Sequence, residues 1–154
     1  MPELLHPTFA MDALSALLAP LNAQPLLAEC GYRVEVIDPQ RIRVALDAPQ
    51  AIHRGGLQSD AFNGSTLAAM FDLALGAPGL LRAHPDKRTA TVQTSVSFMR
   101  AAKGGRVHVD GWIERAGSGI LFTAAEARDD REQICATASG VVRVMEGHSA
   151  PRVF

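Results

Sequence analysis

Apolar and polar residues alternate one for one along several stretches of the chain, and recur every third or fourth residue along two others. Tyr32-Arg-Val-Glu-Val-Ile37 and Arg41-Ile-Arg-Val-Ala-Leu46 alternate, and Asp38-Pro39-Gln40 between them has turn chemistry, which predicts a hairpin. Thr91–Met99 alternates over Val92, Thr94, Val96 and Phe98, and Arg106–Arg115 over Val107, Val109, Gly111 and Ile113. Ile120–Arg128 and Gln133–Met145 complete the run. Turns at Lys103-Gly104-Gly105, Ala116-Gly117-Ser118-Gly119 and Asp129-Asp130-Arg131 predict that these strands follow one another as a meander of antiparallel hairpins.

The helical period governs two other stretches. Met11, Leu14, Leu17 and Leu18 share one helical face, and Pro20 and Pro25 are expected to break that segment into a short helix and a further turn. From about Gly64 to Leu81 the chain is apolar on nearly every side of a helix, with Pro78 and Gly79 bending or ending it. A helix of that kind must be wrapped by other structure. The order of elements therefore predicts an α+β fold, an antiparallel β-sheet wrapped around one long central helix. A helical cap is expected over residues 1–30, the body over 31–146 and a tail over 147–154. The apolar run Leu67–Leu81 is about 15 residues and holds a charge and a proline, short of the ~20 needed to span a bilayer.

Composition narrows the function classes. The chain has 154 residues, enough for one domain with a sizeable core, and its net charge of −1 gives no general pull towards nucleic acid or anionic membrane. Cys30 and Cys135 are far apart and form no ligand cluster with histidines, so neither a disulfide nor a metal site is expected. The N-terminal residues lack a basic region followed by a long apolar run, and a cytoplasmic protein is expected.

Asp72 is the only ionisable residue in the run Leu67–Leu81. A carboxylate among such neighbours is costly to desolvate unless something pairs with it. Eight residues earlier, Asn63 is a good N-cap, followed by Gly64, Ser65 and Thr66. The first amides of that helix lack intrahelical acceptors, the helix dipole adds positive charge, and Gly64 lets a ligand approach the backbone. Such a terminus can stabilise an oxyanion. Eight residues of helix separate Gly64 from Asp72 by roughly 12 Å. Both cannot act on one carbonyl within a single chain, so cooperation between them requires two copies related by a two-fold axis.

The helix opening with Gly64, the acid in Phe71-Asp72-Leu73-Ala74, and the strand Val92-Gln-Thr-Ser-Val-Ser-Phe98-Met-Arg100-Ala-Ala-Lys103-Gly104 together resemble the hotdog-fold acyl-CoA thioesterases of the phenylacetic acid degradation (PaaI-like) type. The resemblance covers roughly residues 30 to 145. In that family the helix usually opens His-Gly-Gly, where this chain has Asn63-Gly64-Ser65, and the preceding loop reads His53-Arg54-Gly55-Gly56-Leu57-Gln58-Ser59-Asp60. The resemblance implies that Asp72 acts as general base or nucleophile and that the Gly64 amide polarises the thioester carbonyl. It implies that Gln58, with Asn63 as second candidate, steadies a water, and that the Thr89 or Thr91 hydroxyl contacts the base. Ser65, Arg100, Lys103, Arg115 and Ser118 fall in substrate-contacting regions, the basic ones suited to coenzyme A phosphates, with Arg143 a weaker candidate. Met70, Phe71 and Leu75 are expected to be core. Coenzyme A would enter only as part of the substrate, no other cofactor being implied, and the assembly would be a homodimer or homotetramer without nucleic acid or membrane partners. A non-catalytic acyl-CoA sensor and a hotdog dehydratase are the competing readings, the latter disfavoured because no histidine lies in the helix or directly ahead of it.

Overall fold

A computed structural model describes residues 11–55, 60–82 and 87–146. In chain order the elements are α1 (Met11–Asn22), α2 (Pro25–Cys30), β1 (Arg33–Asp38), β2 (Arg41–Leu46), a 3-10 turn (Ala51–His53), α3 (Gly64–Gly76), α4 (Pro78–Arg82), β3 (Lys87–Phe98), β4 (Val107–Ala116), β5 (Ile120–Asp129) and β6 (Ile134–Glu146). The six strands form one antiparallel sheet in the order β1-β2-β4-β5-β6-β3, and α3 packs against β2, β3, β4, β5 and β6.

Alternation decides which way β2 faces, whereas β3 shows no such pattern, with Val92 and Phe98 both exposed. Ile42, Val44 and Leu46 of β2 point into the core with Val107 and Val109 of β4, while Arg43 points outward and forms a two-pronged pair with Asp110 at 2.7 and 2.8 Å. Under the helix the sheet carries small residues: Gly111, Ala125, Ala127, Ala138 and Gly140. That floor lets α3 come close. A methyl group on Gly111 would stand 1.9 Å from the Ala74 carbonyl oxygen. Thr66, Leu67, Met70, Phe71, Ala74 and Leu75 form the buried face of α3. Burial of Met70, Phe71 and Leu75 is complete, which contributes about 1.5–3 kcal/mol each.

Two expectations are corrected. Pro20 lies inside α1 without breaking it, because a proline near a helix end removes only one backbone donor there and Ala23 still bonds Ala19 at 3.0 Å. Segment 99–106 is a crossover instead of a hairpin turn: β3 pairs with β6, and β4 lies between β2 and β5. The segment crosses the N-terminal end of α3, where Ala102 is buried and accepts from the Phe62 amide at 2.9 Å. Gly64–Arg82 has the length and hydropathy of a membrane-crossing helix, but more than half of it is buried in its own chain, and it divides at Ala77, where Pro78 was expected to bend or end it.

The two sheet edges differ. At β1, Asn22 from the end of α1 donates to Val34 O at 2.7 Å and accepts from Val34 N at 2.8 Å, so side chain and helix cover that edge. At β3, twelve residues long, no described strand pairs along the outer side, and Val92 is bulged and 64 % exposed.

Candidate active site

Asn63 adopts the extended backbone of an N-cap (φ −74°, ψ 156°), and its Oδ1 accepts from the Thr66 amide at 2.8 Å. The Asn63 carbonyl accepts from Leu67 N at 3.3 Å, beginning the helical ladder. Among the described residues the Gly64 and Ser65 amides have no acceptor, and both residues are exposed. These two donors, with the dipole of a 13-residue helix behind them, make the terminus electropositive. A cavity of about 350 Å³ opens beside them, walled by Phe62, Asn63, Gly64, Leu67, Phe98 and Arg100 among others.

Asp72 is not buried, contrary to the expectation from its apolar neighbours. Those neighbours turn inward, because α3 has a definite outer stripe of Ser65, Ala69 and Asp72 opposite the buried face. The carboxylate stands two turns along from Gly64, roughly 12 Å away. Strand β3 runs beside this helix in the opposite sense: the position of a Cβ on Gly64 lies 3.6 Å from the Phe98 ring, and one on Gly76 lies 3.5 Å from Thr91 Oγ1. Thr89 Oγ1 donates to Gly76 O at 3.5 Å. Both hydroxyls therefore sit one turn beyond Asp72, and neither is paired with it among the described residues.

The remaining candidates divide between the two ends of the sheet. Arg100 lines the cavity and is held by Asp129 at 3.2 Å and by Gln133. Lys103 stands 3.4 Å from Asp60 at the same end. Arg115 and Ser118 are exposed at the β4–β5 turn, the opposite end, with Arg143 facing Ile120 across the ladder nearby. Gln58 lies outside the described residues, as do the chain ends 1–10 and 147–154. Among the described residues no cluster of three His, Cys, Asp or Glu side chains is placed to hold a metal ion.

Two residues of the site escaped the sequence reading. Phe98 is 56 % exposed at the end of the edge strand and walls the cavity against Gly64. Arg54 lies 4.2 Å over the Phe62 ring and donates to Asp60 O at 3.0 Å and to Gly104 O at 2.6 Å, tying the loop ahead of α3 to the crossover. An aromatic residue ending a strand in the family-like run Val92–Gly104 was a visible signal. Nothing in the sequence marked the Arg54 contacts.

The family model of the thioesterase superfamily matches residues 61–136, from the turn before α3 to the start of β6. No curated protein matches the chain. Among solved structures, a thioesterase family protein from Silicibacter pomeroyi superposes with a TM-score of 0.76 at 19 % identity, covering 90 % of this chain and 100 % of that one. A thioesterase from Haemophilus influenzae gives 0.76 at 14 % identity, covering 94 % and 97 %. A glutamine-to-alanine variant of a thioesterase from Pseudomonas aeruginosa gives 0.75 at 12 % identity, covering 94 % and 99 %. These likenesses share the antiparallel sheet and central helix of the hotdog fold. From the turn before α3 to the start of β6 the chain thus carries the thioesterase superfamily pattern, on the hotdog fold.

Proposed function

We propose that the protein hydrolyses a small or aromatic acyl-CoA thioester to the free acid and coenzyme A, in sites shared between two protomers. The observation that carries this reading is the exposed stripe of α3, which presents the Gly64 and Ser65 amides, without acceptors among the described residues, and a carboxylate at Asp72, beside an edge strand with no described neighbour on its outer side. A long, uncovered edge is a template for a second strand. Pairing β3 with its own copy would continue the sheet and bring two such stripes together.

The proposed pairing implies a particular register. Between the Gly64–Phe98 and Gly76–Thr91 contacts the helix advances about 18 Å and the strand about 23 Å. By proportion Asp72 lies beside Gln93–Thr94. Setting one protomer's Asp72 level with the partner's Gly64 places Gln93–Thr94 opposite Phe98, so the two-fold axis falls near Ser95–Val96. The same operation carries Arg115 and Ser118 of one chain to the Gly64 end of the other, where Arg100 and Lys103 already stand. Coenzyme A phosphates would meet arginine and lysine there. Dimers would pair further into a homotetramer.

In the shared site the thioester carbonyl oxygen accepts from the Gly64 amide. Asp72 of the second chain takes a proton from water as the water oxygen bonds to the carbonyl carbon. The oxyanion collapses, the carbon–sulfur bond breaks, and the coenzyme A thiolate leaves with the proton that Asp72 took from water, which restores the carboxylate. Direct attack by Asp72, giving a mixed anhydride that water then opens, uses the same placement. Gln58, six residues before α3 in the sequence, is the proposed water-steadying side chain. The loss of one oxyanion donor or of the base each costs about 100-fold or more in kcat.

The test is thiol release from acetyl-, hexanoyl-, palmitoyl-, phenylacetyl- and 4-hydroxybenzoyl-CoA by wild type and Asp72→Asn. Turnover of a short or aromatic ester that the substitution abolishes is the expected result. Binding without thiol release would replace the hydrolase with an acyl-CoA sensor.

A further inference from the structure

The 3-10 turn ahead of α3 presents three consecutive carbonyls to a single residue. Asn63 N donates to His53 O at 2.9 Å, and Asn63 Nδ2 donates to Ile52 O at 2.8 Å and Arg54 O at 3.2 Å. On its other side Asn63 Oδ1 accepts from Thr66 N at 2.8 Å and from Ser65 Oγ at 3.0 Å. Both side-chain N–H groups and both lone pairs are thereby spent. The turn that supplies the carbonyls is itself fixed: His53 is buried, its Nδ1 accepts from Gln50 N at 2.9 Å, and Arg54 is tied down as described above.

Serine, threonine or aspartate would cap Thr66 as well as asparagine does. None of them carries two N–H donors. The choice of asparagine is thus explained by the turn behind the helix, and not by the cap. We infer that Asn63 is the positioning residue for the oxyanion donor, fixing the Asn63–Gly64 peptide plane so that the Gly64 N–H points into the cavity. The plane is held from both ends, by the clamp at Asn63 and by the Leu67 amide on its carbonyl. An amide anti to that carbonyl must point away from the helix. This inference rests on the thioesterase reading, and it removes Asn63 from the water-holding role, for which it has no free hydrogen-bonding capacity.

Asn63→Asp and Asn63→Ser separate the two roles, because each keeps the cap acceptor and loses both side-chain arms of the clamp. The probe is phenacyl-CoA labelled with ¹³C at its ketone, an analogue with a methylene between carbonyl and sulfur that water cannot cleave. Bound to wild type, the carbonyl carbon shifts downfield as the Gly64 amide polarises it. Both variants are expected to keep the wild-type circular dichroism and a KM within a few-fold, to lose about 10- to 100-fold in kcat, and to lose much of the ¹³C shift. A fall in kcat with the ¹³C shift intact in the folded variants would overturn the positioning role in favour of water-holding, and wild-type kcat in both would overturn it outright. If Asn63→Asp does not fold, Asn63→Ser alone decides. A wild-type protein that hydrolyses none of the panel overturns the thioesterase reading and this inference together, a result distinct from the others.

Discussion

Gly111 shows how narrowly single residues are constrained under the helix. Its hypothetical Cβ meets the Ala74 carbonyl, which is backbone and cannot swing aside. Gly111→Ala should therefore destabilise the fold by about 3 kcal/mol, at the upper end for overpacking, seen as a lower urea midpoint. Two ionisable residues set the response to acid. His108 is buried on the outer side of the sheet, and burial first, then the Arg43 and Arg128 charges, lower its pKa below 6.5 against the opposing pull of Asp110 and Glu132. The native state thus prefers neutral imidazole, and the stability this lends is complete above that value and is lost as pH falls through the lowered native one. Burial would raise the Asp129 carboxyl, but bonds from the Gln133 and Arg131 amides and from Arg100 outweigh it and hold the group below the usual carboxylate range. Its contribution is present above that range and disappears as pH falls through its native value. Urea midpoints should accordingly fall in two steps on acidification, and His108→Leu should remove the upper one.

At the scale of elements, the central helix was legible in the chain and its exposed side was not. The run Leu67–Leu81 announced a buried helix because apolar residues sit on nearly every side. Ala69 reads as apolar yet lies on the surface, since alanine is neutral to exposure, so the stripe holding Asp72 was hidden by composition. The strands were legible by alternation, but strand order was not, because β3 and β4 follow one another in sequence while pairing with β6 and β2. The cross-sheet pair Arg43–Asp110 that locks β2 to β4 joins residues too distant for any local pattern. Of the candidate site, Gly64 and Arg100 meet at one cavity, whereas Arg115 and Ser118 lie at the far end of the sheet. The helix start also offers a substitution that leaves the element intact. Gly64 is the first helical residue, where proline is well tolerated, and Asn63 at ψ 156° already has the extended backbone that precedes proline. Gly64→Pro should keep the helix and its circular dichroism while removing the N–H, with kcat falling about 100-fold.

At the scale of the molecule, the unequal sheet edges argue for a particular assembly. Asn22 seals β1, and β3 is the edge with no described neighbour, where the proposed pairing about Ser95–Val96 would form. A cysteine at Ser95 should cross-link to its copy through a short bis-maleimide, and one at Glu114, exposed near the opposite end, should not. The central claim is that each active site takes Gly64 from one chain and Asp72 from the other. Mixing the two inactive variants Gly64→Pro and Asp72→Asn tests it most directly. A heterodimer then has one site with both defects and one with neither, so an equal, fully exchanged mixture should recover about a quarter of the wild-type rate. Recovery no greater than the sum of the separate variants would contradict the shared site.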